Sequence, residues 1–348
     1  MKKVRCAVVG LGAIGPTHVE AITRLEETEL AAVCDIVREK AEAMAAKHGC
    51  KAYDDFDTML QDPDIDLVHV CLPSGMHADF GIRAAKAGKH VLVEKPIDVT
   101  LEAAQRLVDA CRDAGVVLSC ISQHRFDPDF VKAKEGLEQG LFGKPVFGGS
   151  YTKWYRSQQY YDSGDWRGTW ELDGGGALMN QSVHYVDMVQ YLVGEVEEVT
   201  AYAGCLAHER IEVEDTATAI LKFKNGALGT LEGHTVAIPG FHTRLDVYGT
   251  EGSFIIENDK LREWRPKDTI GEGGFYGEVR DADQQKPGDT GAGSAAIAGS
   301  SHQRQIQNVA QAILTGGAPA ITGEDAMKPL AIVLAVYRSA REGHAVKL

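Results

Sequence analysis

Short apolar runs alternate with amphipathic helical patterns through the first third of the chain. The apolar runs predict strands at Val4–Val9, Leu30–Cys34, Leu67–Cys71, His90–Val93 and Val116–Cys120. The stretches between them predict helices at Gly15–Arg24, Glu39–His48, His77–Ala87 and Leu101–Ala114. Thr100 is a suitable cap for the last of these helices, and Gly115 a suitable stop. Such alternation is typical of a doubly wound parallel sheet with helices on both faces.

The pattern changes near Gln123. After Asp127-Pro128 we predict one helix, then a mostly antiparallel sheet, and two final helices at His302–Leu314 and Glu324–Glu342. The strands of that sheet are expected at Val196–Leu206, Thr216–Phe223, Gly226–Thr235, Thr243–Tyr248 and Ser253–Glu257. Residues 267–301 lack periodicity and are predicted to form a long loop. The chain therefore divides into an α/β domain, residues 1–123, and an α+β domain, residues 124–348.

Composition narrows the class of protein. The 348 residues are 44% apolar and 25% charged, as in an ordinary globular protein, and the formal net charge is −14. This charge argues against nucleic acid and anionic membrane surfaces as partners. No stretch is long and apolar enough to cross a bilayer, and the amino terminus shows no signal-peptide pattern, so we expect a cytoplasmic protein. The seven cysteines form no Cys-x-x-Cys pair, and neither they nor the histidines show metal-ligand spacing, so no metal is expected.

A glycine fingerprint connects the first predicted strand to the first predicted helix. In Gly10-Leu11-Gly12-Ala13-Ile14-Gly15, the glycines permit a tight turn, close approach of a pyrophosphate, and close packing of helix against strand. Asp35 ends the second strand about twenty residues later, where a carboxylate binds ribose hydroxyls and repels a 2′-phosphate. We therefore predict a Rossmann domain that binds NAD rather than NADP, although Arg38 leaves room for NADP.

The carboxyl ends of the next strands should line the same cofactor edge. After the third strand come Cys71, Pro73 and Ser74, and His77 is either a cleft residue or simply the start of a helix. The fourth strand ends in Glu94-Lys95-Pro96, which places a lysine near the bound cofactor. For an isolated dipeptide, Glu94 and Lys95 would more often be a surface ion pair.

A second glycine-rich segment, Gly174-Gly175-Gly176, leads into a predicted helix that carries Asn180, Gln181 and His184. Asn180 and His184 lie four residues apart and would share one face of that helix. Histidine has a suitable pKa for moving an alcohol proton, which NAD-dependent oxidation requires. A lone helix histidine is also often only a packing residue.

These motifs together resemble the Gfo/Idh/MocA oxidoreductase family over nearly the whole chain. The resemblance rests on the glycine fingerprint with His18, on Asp35, on Pro73-Ser74 with His77, on Glu94-Lys95-Pro96, on Arg125-Phe126-x-Pro128, and on the loop before His184. It implies a two-domain enzyme, a homodimer or homotetramer, that oxidises or reduces a sugar at a carbon flanked by a lysine and a histidine. It also implies a site in which Glu94 and Lys95 border the cofactor and Arg125 contacts the substrate.

Asn180 departs from the Asp-x-x-x-His pattern of many relatives, because asparagine cannot carry the charge that would raise the basicity of His184. The working hypothesis is that His184 takes the hydroxyl proton, Lys95 stabilises the developing alkoxide, and hydride passes to the nicotinamide. Asn180 leaves open whether His184 or Lys95 is the base.

An aromatic and arginine block precedes this helix and indicates the substrate class. Its members Trp154, Arg156, Trp166 and Arg167, together with Asn180 and Gln181, are predicted to bind substrate. Arginine binds carboxylate or phosphate, and aromatic faces suit sugar rings, although the aromatics could instead pack between the domains. The block is similar to that of the branch that oxidises UDP-N-acetyl-2-amino-2-deoxyglucuronate. An anionic or nucleotide-linked sugar is therefore expected; the alternatives are an inositol, a simple hexose or an anhydro sugar, an NAD-dependent glycosidase, or a noncatalytic sugar or NAD sensor.

Overall fold

The computed structural model describes residues 2–267 and 294–348, with side chains omitted for 294–300. The first sheet has six parallel strands in the order β3-β2-β1-β4-β5-β6. These strands are β1 Val4–Val9, β2 Thr28–Cys34, β3 Lys51–Tyr53, β4 Leu67–Val70, β5 His90–Val93 and β6 Leu118–Cys120. The helices that cover them are α1 Gly15–Arg24, α2 Arg38–His48, α3 Phe56–Leu60, α4 His77–Lys86 and α5 Leu101–Ala114. The predicted doubly wound sheet is confirmed.

Local sequence signals predicted most of these strands and helices correctly. Thr100 caps α5 by accepting a hydrogen bond of 3.1 Å from the backbone N–H of Ala103, and Gly115 ends it in the left-handed conformation. The sequence analysis missed β3 and α3, since three residues with two exposed side chains carry no apolar signature. The strand order changes direction between β1 and β4, where α/β sheets bind ligands.

The second sheet is mostly antiparallel, as predicted, and runs β13-β12-β11-β7-β10-β9-β8-β14. Its strands are β7 Pro145–Lys153, β8 Val196–Gly204, β9 Thr216–Phe223, β10 Leu228–His234, β11 Arg244–Gly249, β12 Gly252–Glu257, β13 Lys260–Pro266 and β14 Val346–Lys347. The helices are α6 Pro128–Glu138, α7 Gln158–Tyr161, α8 Val183–Val193, α9 Ser294–Thr315 and α10 Gly323–Glu342. β7 and β10 pair in parallel.

The central strand β7 was not predicted, because Gly148 and Gly149 interrupt its apolar pattern. The structure shows why a side chain is excluded at Gly148: a methyl group there would lie 2.5 Å from Val193 Cγ2 of α8. The close approach of α8 to β7 fixes where the second glycine-rich segment meets the sheet.

The carboxyl-terminal helices pack against the first sheet as well as the second. Ile306, Val309 and Ala310 of α9 are buried in one core with residues of β1 and α1. The prediction of a loop over residues 267–301 is wrong from Ser294 onward, where α9 begins; residues 268–293 lie outside the described residues. Among the described residues, no helix is long and apolar enough to cross a membrane.

Candidate active site

The glycine fingerprint forms a cradle at the carboxyl end of β1. Gly10 has φ of 90°, and a methyl group on it would lie 2.4 Å from the carbonyl oxygen of Cys71. A methyl group on Gly15 would lie 2.2 Å from the carbonyl oxygen of Gly10. At Gly12, by contrast, a methyl group would meet no described atom within 4 Å. The loop is closely packed on the protein side and open where a pyrophosphate would approach the start of α1.

Asp35 closes the cradle at the end of β2. Its carboxylate accepts hydrogen bonds from the backbone N–H groups of Leu11, at 2.8 Å, and Val37, at 2.9 Å. These bonds fix the carboxylate beside the glycine turn, where the ribose of a dinucleotide lies in this fold. The cradle and the acid together fit NAD. Ala13 lines the adjacent cleft, and Ile14 precedes the first turn of α1.

The residues that follow β4 hold the cleft together. The backbone N–H of Cys71 donates to the Val9 carbonyl at 2.8 Å, and Pro73 and Ser74 begin a short turn. The two ring nitrogens of His77 lie 2.7 Å from the carbonyl oxygen of Pro96 and 2.8 Å from that of Leu72. His77 is buried and joins two cofactor-edge loops.

Lys95 extends from the end of β5 to the second domain. Its Nζ donates a hydrogen bond of 2.8 Å to the backbone carbonyl of Asn180, so the two predicted elements meet. Burial lowers the pKa of the Lys95 ammonium, and the neighbouring carboxylates Glu94 and Asp173 oppose that shift. A partly desolvated ammonium is a strong electrostatic partner for a nearby oxygen.

Glu94 is buried, and its carboxylate pairs with two histidines. Its Oε1 lies 2.9 Å from His18 Nε2 and 3.4 Å from His302 Nε2, and its Oε2 accepts from the backbone N–H of Lys95 at 3.1 Å. Burial alone would raise the pKa of Glu94, but the two histidines hold it well below its ordinary value. Glu94 therefore anchors the turn that carries Lys95.

The second glycine-rich segment enters a π-helical turn, Ala177–Ser182, before α8 begins. Glu214 is buried beneath this turn and accepts hydrogen bonds from the backbone N–H groups of Gly176, at 2.9 Å, and Leu178, at 2.8 Å. Such turns are frequent at functional sites because they redirect side chains. The sequence analysis predicted a regular helix for Asn180 and missed both the π turn and Glu214.

The side chain of Asn180 pairs with Asp173 and Gln181, whereas its spacing indicated a helix face shared with His184. Its side-chain amide donates to Asp173, and its Oδ1 accepts from Gln181 Nε2 at 3.0 Å. Burial raises the pKa of Asp173, while the backbone N–H of Gly168 and the Asn180 amide oppose the shift. The contact of Asn180 with Lys95 is made by its backbone carbonyl.

His184 lines the cleft and is half-buried at the start of α8. Its ring forms no hydrogen bond with any residue that the structure describes, and it packs edge-on against His124 with the ring centroids 5.2 Å apart. Burial, then the charges of Lys95 and His124, hold the pKa of His184 well below its ordinary value. An unprotonated imidazole with a free nitrogen is suited to accept a proton.

A single cavity of about 290 Å³ brings these parts together. Its lining includes Ala13 of the glycine loop, Lys95 after β5, and Trp154, Arg167, Gln181 and His184 of the second domain. The cavity therefore joins the end of the cofactor cradle to the aromatic and arginine block.

Two guanidinium groups lie among the aromatic rings of that block. Arg167 donates to the Tyr160 hydroxyl at 2.7 Å and lies over the rings of Tyr160, at 4.3 Å, and Trp166, at 4.5 Å. Arg156 lies 5.1 Å from the centre of the Trp154 ring. Within the described part of the chain, neither guanidinium forms an ion pair with a carboxylate. Both charges remain available to an anion.

The structure does not bring Arg125 to the cavity. Its guanidinium forms two hydrogen bonds with Asp187, at 2.8 and 2.5 Å, and lies over the Tyr191 ring. The pair is buried, so Arg125 connects the turn after β6 to α8 rather than contacting substrate. Its neighbour His124 lines the cavity together with Asp259, and sequence analysis identified neither, because only the folded chain brings the β12–β13 turn beside residue 124.

The dinucleotide cradle, the lysine after β5 and the histidine of the second domain define a nicotinamide-dependent oxidoreductase that acts on CH–OH groups. The chain belongs to the Gfo/Idh/MocA oxidoreductase family. Residues 4–122 match the family's NAD-binding Rossmann fold, and residues 134–348 match its carboxyl-terminal alpha/beta domain. NAD as cofactor is confirmed.

Relatives with known activities resemble the chain along its whole length. The WlbA dehydrogenase of Bordetella pertussis, solved with NADH and UDP-GlcNAcA, superposes with a TM-score of 0.86 and 32% identity, covering 100% of this chain and 99% of that one. Myo-inositol 2-dehydrogenase of Thermotoga maritima is 30% identical over 99% of this chain and 98% of its own length. The scyllo-inositol 2-dehydrogenase (NAD(+)) of Bacillus subtilis is 28% identical over 99% and 96%.

Proposed function

We propose that this protein oxidises a secondary hydroxyl of an anionic sugar, with a nucleotide-linked uronate as the favoured substrate. The observation that carries this proposal is the pair of guanidiniums, Arg156 and Arg167, that lie among aromatic rings beside the cavity without carboxylate partners among the described residues. Guanidinium binds carboxylate and phosphate in a planar, forked geometry. The similarity to the WlbA dehydrogenase, which was solved with a UDP-linked uronate, supports the same substrate class.

Two side chains carry the proposed chemistry. NAD, when bound in the cradle, supplies the acceptor for the hydride that leaves the substrate carbon. His184 takes the hydroxyl proton, because it is unprotonated and its ring nitrogens are free of described partners. Lys95 stabilises the negative charge that develops on the substrate oxygen. Asn180 holds Lys95 through its backbone carbonyl and restrains Asp173 through its amide.

Loss of either guanidinium is expected to weaken binding of the anionic substrate. Arg156→Gln and Arg167→Gln should each raise KM for a UDP-linked uronate about 10- to 100-fold, since a charge-assisted hydrogen bond contributes about 1.5–3 kcal/mol. The measurement is NADH absorbance in a screen of inositols, hexoses, uronates and their UDP derivatives. Arg106→Gln, an exposed arginine on α5, is the matched control. Unchanged KM in both cleft variants would reject the anionic substrate.

An inositol or other neutral cyclic polyol is the second candidate, favoured by the full-length similarity to the two inositol dehydrogenases. The same screen separates the two, because oxidation of a neutral polyol should be insensitive to the charge of Arg156 and Arg167. Release of an aglycone without net NADH would indicate a glycosidase. NAD binding without turnover of any sugar would indicate a sensor.

We propose that the outer face of the second sheet forms a homodimer or homotetramer interface. Apolar side chains stand exposed on this face on β8, β9, β10 and β11: Tyr202 is 81% exposed, Ile220 61%, Leu228 54% and Tyr248 38%. Exposed apolar patches of this kind mark interaction sites. Ile220→Asp with Leu228→Asp is expected to give a monomer of 37.6 kDa by light scattering. A wild-type monomer would exclude the interface.

We propose a cytoplasmic location from the state of the cysteines. All seven are free thiols, and five of them are buried: Cys6, Cys34, Cys71, Cys111 and Cys120. Burial raises the pKa of the Cys34 and Cys111 thiols to about 12, which leaves them unreactive. Free buried thiols are typical of proteins from reducing compartments.

A further inference from the structure

His124 packs against His184 and is held by two carboxylates. Its Nδ1 lies 2.6 Å from Asp127 Oδ2 and 3.5 Å from Asp259 Oδ1. Because ionised carboxylates only accept hydrogen bonds, Nδ1 carries a proton in this arrangement. The His124 side chain is only 15% exposed, so the carboxylate pair acts on it with little screening by solvent.

The opposite side of the His124 ring packs against the proposed base. The ring of His184 meets it edge-on, with centroids 5.2 Å apart and an interplanar angle of 83°. Tyr185 and Phe130 contact the same ring at 5.7 and 5.8 Å. These contacts give His124 one orientation, and with it they restrict the ring of His184.

We propose that His124 is a positioning residue for the reaction: held as an imidazolium by Asp127 and Asp259, it orients His184 and keeps His184 unprotonated until substrate delivers a proton. The proposal rests on the proposed role of His184 as the base. It assigns a function to a histidine that contacts neither the cradle nor the guanidinium pair.

The charges around both rings agree with this assignment. Burial would lower the pKa of His124, but Asp259, Asp127 and, more remotely, Asp187 outweigh it and raise that pKa. Burial is the largest cause of the lowered pKa of His184. The charges of Lys95, His124 and His302 lower this pKa further, whereas Glu94 opposes the shift. A cation about 5 Å from an imidazole penalises its protonation substantially at the intermediate dielectric of a cleft.

This arrangement differs from an Asp-x-x-x-His pair. A carboxylate at position 180 would favour a protonated His184, whereas Asn180 carries no charge, and the nearest titratable ring, His124, is held by two carboxylates. The base is therefore weak and stays unprotonated in mild acid. Activity should persist below pH 6.5, the ordinary pKa of histidine.

The test is the pH profile of kcat/KM together with NMR titration of the His184 ring in the full-length protein without substrate. His124→Phe keeps an aromatic ring in place but removes the charge, so the pKa of His184 and the acidic limb of kcat/KM should both move up by about one unit or more. Asp259→Asn should shift both in the same direction by less, and asparagine is well suited to the left-handed backbone at that position, φ 61°. Asp113→Asn, an exposed site on α5, should shift neither.

The proposal is overturned if the His184 titration is the same in wild type, His124→Phe and Asp259→Asn. It is also overturned if the purified protein carries a stoichiometric divalent cation whose removal by chelator reproduces the effect of His124→Phe, because the three side chains would then be metal ligands. If wild type oxidises none of the sugars screened, the proposed function fails, while the NMR titration still decides the role of His124. If His124→Phe does not fold, Asp259→Asn provides the same readout.

Discussion

Lys95→Met is expected to lower kcat by about 10²–10³-fold and to leave NAD affinity close to that of the wild type, because the ammonium acts on charge that grows only in the transition state. Its Nζ lies at the wall of the cavity and donates to a backbone carbonyl at 2.8 Å, so no carboxylate bond has to break when a substrate oxygen approaches. Methionine has a similar length and lacks the charge. Steady-state kinetics with the sugar identified by the substrate screen provides kcat and KM.

The matched control is Lys86→Met, an exposed lysine at the end of α4, for which we expect wild-type kinetics. Lys95→Arg should recover little activity, since the longer, planar guanidinium cannot occupy the position of Nζ without displacing the π turn. A Lys95→Met enzyme with unchanged kcat would remove Lys95 from the reaction. A change confined to KM would instead assign Lys95 to substrate binding.

Much of the first domain could be predicted because its signals are local. The bounds of β1, α1, β5 and α5 match the structure, since each element has its own apolar period and its own stop. The meeting of Lys95 with the segment around Asn180 was expected only from the family resemblance, because Asn180 lies in the second domain and not at a strand end of the parallel sheet.

The parts that sequence analysis missed depend on contacts between distant segments. Glu214 supports the π turn from a position between β8 and β9, and Asp259 reaches His124 from the β12–β13 turn. Nothing in the local sequence of either acid indicates its partner. Arg125 is the opposite case, because its motif was recognised from the sequence but its partner was not. Asp187 on α8 neutralises its charge in a buried ion pair.

Gly15→Ala is expected to abolish NAD binding and to lower the unfolding temperature, while Gly12→Ala should impair only NAD binding. The methyl group on residue 15 would lie 2.2 Å from the Gly10 carbonyl oxygen, a backbone atom that cannot move without opening the turn. Overpacking of this kind costs about 1–3 kcal/mol of stability. Thermal unfolding without ligand and calorimetric titration with NAD measure the two effects separately.

The Gly12→Ala variant separates the loss of NAD binding from the loss of stability. A methyl group on residue 12 meets no described atom within 4 Å, so the protein alone should unfold at the wild-type temperature. The same methyl group occupies the space in which a pyrophosphate approaches the backbone, so NAD should stabilise this variant much less than it stabilises the wild type. Undiminished NAD affinity in Gly12→Ala would place the pyrophosphate elsewhere, and a stable Gly15→Ala would show that the turn has more freedom than its packing indicates.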